Sequence, residues 1–187
     1  MIKNLKNQNV IRNCANEIID CFENFNEYNQ LTEHIQTPLS KLLNISNLCD
    51  LGVPRQGNNV SNSKYLYFDC EFSILLFEVE KGKIIPPHDH GVTEILCVYK
   101  GKLQHKLYSR IDDKKTNGYA KLETIHDKEI SSGDVVIVSP PNDIHGFKSL
   151  SDDTFGITIV NGNYKVDRHY YNTEENSYVI KSTPNSR

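Results

Sequence analysis

The sequence predicts a mainly β protein, an antiparallel sandwich or barrel preceded by a helical segment. Three observations carry this. Over the first fifty residues apolar side chains recur at helical spacing. From Lys64 onward they change to short β-branched and aromatic runs separated by turn residues. No helical pattern is interleaved among those runs, which argues against a parallel sheet with crossover helices.

The first helix is read from Ile11, Cys14, Ala15, Ile18, Ile19, Phe22 and Phe25, with polar residues between them. A second, short helix is expected to start at Thr37, where Thr37 supplies an N-cap and Pro38 a first-turn proline ahead of Leu39, Leu42, Leu43 and Ile45. The stretch "DLGVPRQGNNVSNS" then breaks the pattern with Gly, Pro, Asn and Ser. It divides a helical segment, residues 1–60, from a barrel over residues 61–187, the two forming one structural domain. The strands are expected in "YLYFDC", "FSILLFEVE", "EILCVY", "KLQHKLYS", "GYAKLETI", "DVVIVS" and "TFGITIV", and the tail "KSTPNSR" is expected to fray.

Composition narrows the function classes. A formal charge of -3 over 187 residues argues against a nucleic-acid or anionic-membrane surface. No run approaches the roughly 20 apolar residues of a membrane span, and the N-terminus lacks the apolar core of a signal peptide, so a cytoplasmic protein is expected. Cys14, Cys21, Cys49, Cys70 and Cys97 are odd in number and contain no Cys-x-x-Cys pair, so reduced thiols are expected. A small-molecule partner fits best, with a monomer or homodimer as the assembly.

The chemistry concentrates in "GKIIPPHDHGVTEILCVYKG". His88 and His90, two apart on a strand-like segment, would face the same side and could reach one metal at about 2.1 Å. Gly91 and Thr93 would allow a hairpin that returns Glu94 to the histidines. Two imidazoles and a carboxylate suit Fe(II), Mn(II), Ni(II) or Zn(II). The third imidazole is expected from His145, in "SGDVVIVSPPNDIHGF".

The spacing G-x5-H-x-H-x3-E-x6-G, met here by Gly82, His88, His90, Glu94 and Gly101, resembles the first motif of the cupin superfamily. A second motif is matched by Gly133, Pro140 and His145, with Asn142 where glycine is usual and Ser149 where asparagine often closes it. The resemblance runs from about Tyr65 to Tyr171. It implies a cupin double-stranded β-helix holding one metal through His88, His90, Glu94 and His145. Among cupins, "PPHDHG", "VYKG", "GDVVIVSPPNDIH" and "GNYKVDRHYY" are most similar to the cysteine-dioxygenase-like group.

That subgroup implies a mononuclear non-haem iron oxygenase, with Fe(II) first among the metals, oxidising a small thiol or carboxylate-bearing substrate with O2. Two features depart from the animal enzymes. Their cysteine-tyrosine crosslink has no counterpart, because Ile95 follows Glu94 and Asn161 stands at the tyrosine position. Their substrate-gripping arginine falls near Lys64, a less directional cation. Lys64 or Arg168 is therefore expected to anchor an anionic group, with Glu94 as ligand or base. If Glu94 ligates, only two open positions remain on an octahedral metal. A redox-neutral lyase or isomerase then stands as the alternative, with a non-catalytic binding cupin as a third reading.

The remaining candidates have plainer expectations. His34, His105, His126 and His169 have no partner at ligand spacing and are read as ordinary polar residues. Tyr65, Tyr67 and Phe72 are read as packing, Phe147 as an apolar wall of the cavity, and Arg168 with Tyr170 and Tyr171 as a late segment over the barrel. Tyr108 and Arg110 are read as either the cavity mouth or a solvated hairpin end.

Overall fold

A computed structural model describes residues 2–25, 27–55 and 62–182. Two helices, α1 (Ile2–Asn24) and α2 (Tyr28–Leu43), are followed by a 3-10 turn at Leu48–Asp50. Twelve strands then follow: β1 (Val53–Pro54), β2 (Lys64–Phe68), β3 (Phe72–Val79), β4 (Ile84–His88), β5 (Thr93–Lys100), β6 (Lys102–Arg110), β7 (Leu122–Ser131), β8 (Val135–Val138), β9 (Ile144–Ser149), β10 (Thr154–Asn161), β11 (Asp167–Asn172) and β12 (Ser177–Ser182).

Two six-stranded sheets run in the orders β1-β2-β3-β10-β5-β8 and β12-β11-β4-β9-β6-β7. The central pairings are nested: β6 with β7, β5 with β8, β4 with β9 and β3 with β10, all antiparallel. A long hairpin whose successive rungs alternate between two sheets is a double-stranded β-helix. It needs no crossover helix, which is why none is written between the strands.

Side-chain parity separates two cores on the first sheet. Ile95, Cys97, Ile74, Leu76, Ile157 and Ile159 face outward and join Ile11, Cys14, Ile18, Ile35, Leu39 and Leu42 of the helices. Leu96, Val98, Phe77 and Val79 point inward and fill the barrel with Phe147, Leu103 and Ile130 of the second sheet. Each fully buried Ile or Leu contributes about 1.5–3 kcal/mol, so the helical pair is held by its own apolar stripe. The helices run antiparallel, with Phe25 stacked on His34 (3.9 Å) at one end and Glu17 paired to Lys41 (2.6 Å) further along. Among the described residues no helix is long and apolar enough to cross a membrane.

Three expectations are corrected here. The second helix starts at Tyr28, not at Thr37, and Pro38 lies inside it. Leu31, Ile35, Pro38, Leu39 and Leu42 form one buried stripe, and its burial offsets the roughly 3 kcal/mol that an interior proline costs. The strand expected at "GYAKLETI" is β7, Leu122–Ser131: its polar residues leave most of it exposed at the sheet edge, while Tyr119 forms an isolated bridge with Ser177. Strand β4 ends at His88, and β5 belongs to the other sheet, so the turn after His90 crosses between sheets and is not a hairpin. Of the boundary stretch, residues 56–61 lie outside the described residues, as do residues 183–187 of the tail; Lys181 and Ser182 close β12.

Tyr108 is buried with Ala120, Ile144 and Tyr171, and Arg110 pairs with Asp112 and lies over the Tyr178 ring, so Arg110 is not a solvated hairpin end. Gly101 has φ +86, and a Cβ there would lie 2.7 Å from the hydroxyls of Ser151 and Thr154, which explains glycine at that motif position. Gly156 faces Phe77 across the β3–β10 pair, and the Phe77 ring occupies the place of a Cβ, 2.1 Å from it.

Two outcomes follow. Gly156→Ala should lower stability by about 1–3 kcal/mol, read as a shift in urea midpoint without a change in slope; an unchanged midpoint would contradict the Phe77 packing. Burial pushes the Cys14 and Cys97 thiols up to about 12, whereas Cys70 is exposed. At pH 8 a thiol reagent should label Cys70 quickly and reach Cys14 and Cys97 only on unfolding. Equal labelling rates at all three would contradict the fold.

Candidate metal centre

His88 ends β4, His90 lies two residues on in the turn, and His145 is the second residue of β9. Register brings them together: His88 is the cross-strand neighbour of His145, and Tyr170 of β11 is that of His88 on its other side. One ligand nitrogen from each of the three histidines lies within 4.8 Å of the others, and all three residues are buried. His90 Nε2 and His145 Nε2 are 2.8 Å apart, close to the roughly 3 Å separating adjacent nitrogens that share a metal at about 2.1 Å.

The charge states suit ligation. Burial, with the Arg168 guanidinium adding to it, pushes His88 down to about 4. Burial and the neighbouring histidines hold His90 and His145 well below the usual imidazole range. Neutral rings present lone pairs.

The far nitrogens test the fit further, because a ligating histidine donates its other N–H to an acceptor. His88 Nδ1 faces the Pro86 carbonyl at 2.9 Å, His145 Nδ1 faces His105 Nε2 at 2.9 Å, and His90 Nδ1 faces Glu94 Oε2 at 3.4 Å. His88 thus has a carbonyl acceptor behind it, His145 a histidine nitrogen that can accept or donate, and His90 both the Glu94 carboxylate and the Arg168 guanidinium, with Nε2 in front. A divalent metal fits this donor set.

Glu94, near the start of β5, is 3% exposed. Burial pushes its carboxyl up to about 7, against the opposing pull of the Tyr164 hydroxyl and Arg168. The Tyr164 hydroxyl donates to Glu94 Oε2 at 2.5 Å, and Glu94 Oε1 lies 3.7 Å from His145 Nε2. The carboxylate therefore touches two of the three histidines, one oxygen tied down by Tyr164 and the other facing the ligand nitrogen of His145.

Arg168 also comes to the site. Its guanidinium lies over the rings of Tyr164 (5.0 Å) and Tyr170 (5.6 Å), Nη2 donates to the Tyr170 hydroxyl at 2.6 Å, and Nη1 is 3.4 Å from His90 Nδ1. Its Nε is buried without a hydrogen-bond partner. Lys64 does not come. It pairs across the strands with Leu76, so it shares the helix-facing side of the sheet, and its Nζ donates to the Cys49 carbonyl at 2.7 Å. Ile95 faces the helices and Asn161 is exposed.

Several residues that sequence reading passed over hold the site. Asp143 Oδ2 accepts the backbone N–H groups of His90 (2.9 Å) and Gly91 (2.6 Å), fixing the histidine turn from a position two residues before His145. Asp89 accepts from Lys165, from the His169 backbone N–H (2.9 Å) and from the Tyr171 hydroxyl (3.3 Å), with His169 Nδ1 at 2.8 Å. Burial alone would raise the Asp89 carboxyl, but the Lys165 ammonium and the His169 N–H outweigh it and hold it low. His105 was read as an ordinary strand residue, yet it is 3% exposed and contacts His145. The only sequence signal for these was position: Asp89 between the two histidines, Asp143 two before the third, and His105 at an inward parity of β6.

Fold and site together define a double-stranded β-helix with a buried three-histidine cluster. No family model matches the chain, and no curated protein does. Among solved structures it is similar to KdgF from Halomonas sp., at 18% identity over 54% of this chain and 79% of that one, with a TM-score of 0.42. It is also similar to an uncharacterized conserved protein with a double-stranded beta-helix domain from Klebsiella pneumoniae, at 13% identity, 68% and 84% coverage and a TM-score of 0.45. A third is a structure of oxalate oxidase, at 19% identity, 57% and 56% coverage and a TM-score of 0.42. The nested strand pairing defines the fold of this chain, and its three imidazoles define the site.

Asp143→Ala should leave two backbone donors unpaired, costing about 2 kcal/mol or more of stability and weakening zinc binding. Asp143→Asn, which keeps an acceptor, should recover part of both. Urea unfolding and chelator competition measure the two effects; full zinc affinity in Asp143→Ala would contradict the role given to this turn.

Proposed function

We propose that the protein is a mononuclear non-haem iron enzyme that oxidises a small, anionic organic substrate with O2. The observation that supports this most directly is the set of three buried imidazoles, each with a polar partner at its far nitrogen. His88, His90 and His145 would hold the metal, with Glu94 Oε1 as a fourth donor. When bound, Fe(II) would supply the redox chemistry with O2 that no side chain here can provide. Mn(II), Ni(II) or Zn(II) would suit the same donors.

The protein's own groups then orient substrate and exclude water. Arg168, half-buried and braced between two tyrosine rings, offers its guanidinium to a carboxylate or similar anion. Tyr164 holds Glu94 Oε2 and closes the same side. Phe147, stacked on Phe77 at 5.7 Å and near His145, gives the interior an apolar wall. A cysteine substrate is a weaker fit, since neither Ile95 nor Asn161 can form the crosslink and Lys64 faces away from the barrel interior.

A second reading is favoured by one observation. The Glu94 carboxylate, tied at Oε2 by the Tyr164 hydroxyl and set beside His90 and His145, is placed to move a proton at the cluster, as a redox-neutral lyase or isomerase would require. Oxygen electrode traces with iron-loaded protein and a panel of small thiols and carboxylates separate the two. Substrate-dependent O2 uptake that disappears in His88→Ala, together with its metal, supports the oxygenase. Turnover without O2 uptake moves the assignment to the redox-neutral class, and full metal occupancy in His88→Ala would overturn the site. Arg168→Met should raise KM for an anionic substrate by about tenfold or more, as expected for loss of a charge-assisted contact; an unchanged KM would remove Arg168 from substrate binding.

A further inference from the structure

We propose that His105 is a positioning residue of this centre: through its Nε2 it partners His145 Nδ1 and thereby keeps His145 Nε2 directed, unprotonated, at the metal position. The inference rests on the metal-site reading above and concerns a residue outside the ligand set.

His105 lies in the middle of β6, pairs across the strands with Phe147, and is buried. Leu107 is directly opposite His145, so the His105–His145 contact is diagonal across the β6–β9 pair. Leu103, two residues earlier on the same face, packs in the barrel core, and a leucine at 105 would serve packing equally well. Burying an imidazole there costs desolvation unless it is hydrogen-bonded, and the bond it makes, at 2.9 Å, is to a metal-ligand candidate.

The tautomers give that bond a purpose. With both rings neutral, a 2.8 Å Nε2···Nε2 contact between His90 and His145 needs one hydrogen between the two nitrogens. Ligation of one metal by both rings requires that this hydrogen leave and that each ring carry its proton on Nδ1. For His145 that proton points at His105. A neutral imidazole can donate from Nε2 or accept there, so His105 satisfies His145 Nδ1 in either tautomer. A carbonyl could serve only the donor form, and leucine would serve neither.

The test is zinc affinity by competition with a chromophoric chelator, together with the visible spectrum of the Co(II)-loaded protein, for wild type, His105→Leu and His105→Gln. The glutamine amide can also donate or accept. His105→Leu should bind zinc about 10–100-fold more weakly, the usual effect of losing a partner behind a ligand. It should also show an altered Co(II) spectrum, and His105→Gln should recover most of both. Wild-type affinity and spectrum in a folded His105→Leu protein would overturn the inference while leaving the metal site intact. If His105→Leu does not fold, His105→Met takes its place against His105→Gln, with the same ordering expected and equal affinities overturning it. A wild-type protein that takes up no metal would instead overturn the metal-site reading itself.

Discussion

Three imidazoles buried within 4.8 Å of one another are the constraint on which the rest of this barrel depends. Bare nitrogens in a dry interior are poorly solvated, and such a cluster holds only if its rings stay neutral and their other nitrogens are satisfied. Burial provides the first condition. The Pro86 carbonyl, Glu94 and His105 provide the second, and they come from the same strand as His88, from the opposite sheet, and from the next strand beyond His145.

The surrounding fold can be understood as support for that arrangement. Nesting of the long hairpin places β4 beside β9, which makes His88 and His145 neighbours by register and not by sequence. The turn bearing His90 belongs to neither sheet and is instead anchored by the Asp143 carboxylate. The late strand β11 joins at Tyr170, and Asp89 ties its backbone and its Lys165, His169 and Tyr171 side chains to the histidine turn. The N-terminal helices act from the far side. They cover the outward apolar face of the first sheet and claim Lys64 with it, leaving the barrel interior to the polar cluster.

Much of this was legible in the residues. The change from helical to alternating periodicity marks the two parts of the chain, and the spacing of Gly82, His88, His90, Glu94 and Gly101 with a later His145 picks out the cluster. What was not legible depends on partners distant in sequence. Pro38 reads as a helix start locally, but the stripe from Leu31 to Leu42 is buried as one unit. His105 carries no ligand spacing, since its role comes from a diagonal contact set by the β6–β9 register. Lys64 is the nearest cation in sequence to the expected clamp, yet strand parity turns it toward the helices; Arg168, the other anchor expected, is carried to the site by the pairing of β11 with β4.

The central claim is that His88, His90 and His145 are neutral rings that direct Nε2 at one metal and Nδ1 at an acceptor. Long-range proton–nitrogen correlation NMR of the zinc-loaded protein reads this directly, because the nitrogen shifts distinguish the protonated, metal-bound and free imidazole nitrogens. The account predicts three histidines with protonated Nδ1 and zinc-shifted Nε2, assigned to these positions by loss of one signal set in each single His→Ala protein. Zinc-loaded protein in which any of the three is an imidazolium, or carries its proton on Nε2, would contradict it.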